Sequence, residues 1–180
     1  MKITKTIFLW IALTVIPSAA LLAQKCKFDK DEKDKFTNVH IRSSKFQVGG
    51  MFYRWFILLE QKGDKYYMTY QIAVNGKVDD PIKKGNKIMM KLEDNSIVEL
   101  EVDQDYNPQQ NVENTGTANP FISSMWLPKG ELSKEQMTKL SNSPISAIRI
   151  NIAGKDLDSP EIAAKQSKKL KETSACMLVD

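Results

Sequence analysis

Histidine and cysteine are scarce in this chain: its 180 residues include one His and two Cys. A Ser/His/Asp or Cys/His triad needs a histidine positioned by a carboxylate. Only His40 is available, between Val39 and Ile41 in an expected strand. A zinc site needs three or four His- or Cys-type ligands, more than this composition supplies. One-sided charge is also missing. The 26 Lys and Arg residues interleave with 22 Asp and Glu, for a net charge of +4, which gives no footprint for nucleic acid. Internal repeats are absent. With 42% hydrophobic and 27% charged residues, the chain is neither collagen-like, mucin-like nor wholly disordered. The length suits one domain with a core large enough to fold without staples.

The N-terminus carries the clearest signal. Lys2 and Lys5 precede an uncharged apolar run from Thr6 to Ile16, Pro17 breaks it, and small residues follow up to Ala23. This is the layout of a secretory signal peptide, residues 1–23. Cleavage after Ala23 leaves Gln24 first, and cleavage after Ala20 is the alternative. Read instead as an uncleaved anchor, Ile7 to Ala23 offers only 17 residues, short against the roughly 20 of a bilayer span. Lys25 directly before Cys26 does not suit lipidation. The expectation is export to the periplasm or cell exterior, with no stable membrane span after cleavage. Losing Lys2 and Lys5 lowers the net charge from +4 to +2.

The mature chain keeps Cys26 near its start and Cys176 near its end. In an oxidising compartment this even count points to a Cys26–Cys176 disulfide. Two free thiols or bonds between chains are the alternatives.

Residues 24–36 read as a polar, weakly structured segment, and residues 37–180 as a single domain. From Thr37 the pattern has period two, with Val39, Ile41, Phe46 and Val48 at strand spacing. Met51 to Gln61 is apolar on both faces apart from Arg54, as a central strand is. Lys62-Gly63-Asp64 turns the chain into Lys65 to Val74, with Tyr66, Met68, Tyr70, Ile72 and Val74 on one face. Asn75-Gly76 marks a turn and Lys77 to Asn86 a polar stretch. A second hairpin joins Lys87–Leu92 to Ile97–Val102. Asp103 to Asn119 reads as a long loop, Pro120 to Leu127 as a strand, and Pro128 to Glu131 as a turn. Ser133 and Gln136 form a capping box for a short helix ending near Asn142. Ile145 to Ile152 alternates as a strand. Ser159, with Pro160 at the first helical position, predicts a last helix to about Thr173, with Cys176 in an extended tail. Hairpins followed by a helix–strand–helix segment define an α+β fold with an antiparallel sheet.

Asp103, Asp105 and Asn107 have the D-x-D-x-N spacing that opens a calcium loop. However, Pro108 stands where glycine is required and Asn114 where the closing glutamate belongs. Asp156 and Asp158 read as the lead-in to the last helix. Glu99 and Glu101 share one exposed strand face. No metal, cofactor or catalytic residue is assigned. Phe52, Tyr53, Trp55, Phe56, Tyr66, Tyr67 and Tyr70 crowd two adjoining strands, and cross-strand packing accounts for most of them. Tyr67, on the face of Thr69 and Gln71, and Trp126, after the long loop, are the candidate ligand-binding aromatics.

The leader ending at Gln24, the Cys26–Thr37 stretch CKFDKDEKDKFT and the Leu140–Ile150 stretch LSNSPISAIRI cover about a quarter of the chain. In these parts it resembles small uncharacterised exported proteins of Bacteroidetes-type bacteria. The resemblance implies export and no particular activity. The expected function is a non-enzymatic exported module that binds an envelope protein, a glycan or another partner. The alternatives are a carboxylate-dependent hydrolase acting on glycan or peptide, and a structural subunit pairing through a sheet edge.

Overall fold

Alternation decides most of the architecture. In the computed structural model, which describes residues 26–49, 55–113 and 121–179, every strongly alternating segment is a strand with its apolar side turned inward. Residues 1–23, expected from sequence to be a signal peptide, and the aromatics Phe52 and Tyr53 lie outside the described residues.

The larger sheet contains β1 (Lys30–Lys33), β2 (His40–Val48), β3 (Trp55–Lys62) and β4 (Lys65–Asn75). They pair antiparallel in that order. Beyond β4, β8 (Phe121–Trp126) pairs with its second half and β9 (Lys129–Leu132) with its first, and β7 (Gln109–Glu113) forms the far edge on β8. The Tyr70 amide bonds the Pro128 carbonyl at 2.9 Å where β8 hands over to β9. The smaller sheet has the order β11 (Lys155–Asp158), β10 (Ile145–Ile152), β5 (Lys87–Leu92) and β6 (Ile97–Glu101). Both sheets are antiparallel, and with helices α1 (Lys134–Asn142) and α2 (Ala164–Met177) they make an α+β fold.

One core serves both sheets. Phe46, Ile57, Met68, Tyr70 and Ile72 from the larger sheet meet Ile88, Met90, Leu100, Ile148 and Ile150 from the smaller. The sheets come closest where β9 crosses β6. A Cβ on Gly130 would stand 2.8 Å from Leu100 Cγ and closer still to the Glu101 carbonyl oxygen, so only glycine fits there. The Asp103 amide bonds the Lys129 carbonyl at 3.0 Å across the same junction. Elsewhere α2 spans the gap between the sheets. Ser167 Oγ donates to the Ile145 carbonyl of β10 at 2.6 Å, and Lys169 Nζ lies 5.3 Å above the Phe46 ring of β2. Cys26 and Cys176 form a disulfide, with Cα atoms 5.8 Å apart, which ties the start of the described chain to the last turn of α2.

Six local expectations change. Within the segment 24–36, expected to be weakly structured, β1 pairs along the edge of β2 with all four side chains exposed. The long loop contains β7, and the turn after Pro128 contains β9. These strands are held by backbone pairing to a neighbour, which side-chain periodicity does not report. Asp156 and Asp158 sit in β11, not in a helix lead-in. Ser159 does not cap α2. Its amide bonds the Ile148 carbonyl at 2.8 Å and its hydroxyl accepts from the Ile148 amide at 3.2 Å, so the sheet has claimed both groups. The helix starts at Ala164 and runs to Met177, placing Cys176 on the helix instead of in a tail. The Ser133–Gln136 capping box of α1 forms as expected, with Met137 and Leu140 buried beneath it.

Candidate functional site

The two candidate aromatics lie on opposite faces of the larger sheet. Tyr67 faces outward on β4, partly covered by Lys129, whose Nζ stands 4.4 Å from the ring centroid. Trp126 faces inward opposite Ile72 and is 1% exposed. Its indole N–H donates to the Asp80 carbonyl at 3.0 Å. Trp126 therefore offers no open ring face for stacking, and the two residues do not form one site.

Trp126 nevertheless forms part of a wall. A trench separates the β10–β11 hairpin from the end of β4 and the segment after it. Its larger compartment, about 810 Å³, is lined by Val74, Val78, Trp126, Ile152 and Leu157, with Lys77, Asp79, Asp80, Lys155 and Asp156 among its polar residues. A second compartment of about 480 Å³ shares Val74, Asn75 and Leu157 and continues past Trp55 to Pro160. An apolar floor with a polar rim is the usual make-up of a ligand groove.

Both walls are held in place. On one side, the Val78 amide donates to Ser124 Oγ at 2.8 Å, and Ser124 Oγ bonds the Gly76 carbonyl at 2.8 Å. Gln110 Nε2 donates to the Val78 carbonyl at 2.8 Å, and Ile82 forms a backbone bridge with Tyr106. Burial and then the hydrogen bond to Asp103 push the Tyr106 phenol up to about 12, so it stays neutral across the physiological range. On the other side, β10 and β11 join through a two-residue turn in which Ala153 and Gly154 have φ of 51° and 80°. Two successive positive φ values match the right-handed twist of a hairpin. Alanine is a costly occupant of the first position, because its Cβ crowds the neighbouring carbonyl.

Charge on the rim is mostly engaged. Lys77 Nζ lies 3.1 Å from Asp79, and Asn151 Nδ2 donates to Asp156 at 2.9 Å. Arg149 grips Asp158 with two bonds of 2.6 and 2.8 Å. That hydrogen bonding, and then the charge of the guanidinium, holds the Asp158 carboxyl below its ordinary value.

The other residues considered from sequence are occupied locally. His40 Nε2 lies 2.5 Å from Asp31 on the β1–β2 edge. Asp103 accepts from the Tyr106 hydroxyl, while Asp105 accepts from the Lys84 amide and Lys83 Nζ. Glu99 and Glu101 are exposed on β6, and Glu99 pairs with Lys87 at 2.5 Å. Among the described residues, no group of three or more His, Cys, Asp or Glu is placed to hold a metal ion. Sequence reading missed the wall after Asn75, which passes for an ordinary polar loop; the Asn75-Gly76 turn marked only where it begins.

No family model, curated protein or solved structure matches the chain.

Proposed function

We propose that the chain is an exported, non-enzymatic binding module that takes an envelope component or partner protein in the trench beside β11. The observation that carries this reading is the trench itself, an apolar floor between two walls each held by its own hydrogen bonds. Pre-formed walls lower the ordering cost of binding. Three of the four rim carboxylates, on Asp79, Asp156 and Asp158, are already bonded to Lys77, Asn151 and Arg149, which favours recognition over acid–base chemistry. Export is supported by the leader-like residues 1–23 and by the disulfide, a bond that persists in oxidising compartments. Among the described residues, no helix is long and apolar enough to cross a membrane.

The test is native mass spectrometry of the protein recovered after export, before and after incubation with an envelope extract. The expected result is a mature mass starting at Gln24 plus a retained component, lost in a Leu157→Lys variant whose circular dichroism is unchanged. Retention of the same component by that variant would place binding elsewhere, and an empty chain after incubation would overturn the reading.

A further inference from the structure

The reading of the trench can be deepened from the hydrogen-bond pattern of β11. In an antiparallel pair, residues alternate between those that exchange both backbone bonds with their partner and those that direct N–H and C=O away from it. The β10–β11 turn has two residues, so the flanking pair Ile152↔Lys155 exchanges both bonds, as does Ile150↔Leu157. The next pair in this phase is Ile148 and Ser159, and its Ser159 amide does bond the Ile148 carbonyl at 2.8 Å. The intervening residues, Asp156 and Asp158, therefore turn their backbone groups away from β10. Among the described residues, β11 is the edge of its sheet, and both trench compartments run along it.

Resting on the proposed binding role, the geometry points to one occupant: an extended peptide segment of a partner protein, added as an antiparallel strand to the free edge of β11. Its side-chain pattern follows from the register. Residues opposite Asp156 and Asp158 lie on the outer face, where these carboxylates meet Arg149 and Asn151. Directly opposed unlike charges stabilise such pairs, so those peptide positions are Lys or Arg. The residue between them lies on the side of Leu157, above Val74, Val78 and Ile152, and is apolar. The occupant alternates basic and apolar residues.

A second copy of this chain does not meet these demands. Bonding through the free edge requires residues with outward backbone groups to face one another. In a two-fold pairing of β11 with itself, Asp156 then faces Asp156 or Asp158, or Asp158 faces Asp158. Each register opposes two carboxylates, and the last also sets Asp156 against Pro160, which has no N–H to give.

The test uses the full, disulfide-bonded mature protein and three fluorescent hexapeptides: Lys-Val-Lys-Val-Lys-Val, its block isomer Lys-Lys-Lys-Val-Val-Val, and Glu-Val-Glu-Val-Glu-Val. Binding is read by anisotropy. The mature net charge of +2 favours the acidic peptide non-specifically, so it works against the expected order. The alternating basic peptide is expected to bind at least tenfold more tightly than either control, to lose binding when its alternate backbone nitrogens are methylated, and to yield to the acidic peptide in Asp156→Lys. Asp156 is exposed, so that variant keeps the fold. Equal binding of basic and acidic peptides, or indifference to methylation, would overturn the strand-addition inference. If no peptide binds while the exported protein retains a non-peptide component, the inference fails and the binding role stands. If neither is seen, both fail.

Discussion

Replacing Cys26 and Cys176 together with serine removes a bond that closes a loop of 150 residues. The native contacts of α2 do not depend on that bond. Leu170 and Met177 are buried, Tyr66 Oη donates to the Met177 carbonyl at 3.3 Å, and Ser167 bonds the Ile145 carbonyl. The loss therefore falls mainly on the unfolded chain, which gains freedom. For a loop of this length the chain-entropy relation gives about 5 kcal/mol at 25 °C. In a chain of this size, each kcal/mol moves Tm by roughly 2–4 °C, so the expected fall is about 10–20 °C. Thermal unfolding followed by circular dichroism, on the oxidised protein and on the Cys26→Ser/Cys176→Ser variant, measures it directly. Urea unfolding adds a second reading, because m should rise as the unfolded state expands. A Tm shift under about 2 °C with unchanged m would refute the reasoning and show that the bond does not limit the unfolded state in this way.

Other perturbations separate the forces in the fold. Gly130→Ala drives a methyl group into the Glu101 carbonyl and Leu100, and chemical denaturation should show a loss of about 2–3 kcal/mol as the sheets separate. Ala153→Gly, which relieves the positive φ at the hairpin tip, should stabilise by about 1 kcal/mol in the same assay. Tyr70→Phe should leave stability unchanged or slightly higher, because the buried Tyr70 hydroxyl has no hydrogen-bond partner among the described residues. The carboxyls of Asp34, Asp94, Asp105 and Asp158 are all held below the ordinary 3.8, the first three mainly by hydrogen bonds to Thr37, Ser96 and Lys84. A lowered folded pKa gives stability that is present above the unfolded value and lost as pH falls through the folded one. Tm should thus be flat from neutrality to about pH 5 and fall below about pH 4.

Elements built on side-chain alternation are legible in the sequence. Tyr66, Met68, Tyr70 and Ile72 are buried along β4, and Ile88, Met90 and Leu92 along β5. The Ser133–Gln136 box announced α1, because capping is a local hydrogen-bond exchange. Two cysteines left one intramolecular pairing, and it forms. What escaped reading depends on distant partners. KDEK and QQNVE contain too little apolar surface to announce strands, yet β1 and β7 close the edges of a sheet whose interior strands are already specified. The sequence pattern places the start of α2 too early because Ser159 is a good cap locally, but β10 takes its amide and hydroxyl. Trp126 stands out in sequence as a candidate binding aromatic, but its ring is buried and its indole N–H is spent on the Asp80 carbonyl. The trench is not legible in the sequence because its lining comes from four separated stretches, and the one after Asn75 is polar and irregular.

Amide hydrogen exchange along β11 tests the central claim most directly. The amides of Lys155 and Leu157 face Ile152 and Ile150 in the bonded pairs, whereas those of Asp156 and Asp158 face the trench. At neutral pH the account predicts that Asp156 and Asp158 exchange at least roughly tenfold faster than Leu157, because an edge amide open to solvent lacks the protection of a paired one. Equal protection of Asp156, Leu157 and Asp158 would mean that the edge is already covered and would contradict the account.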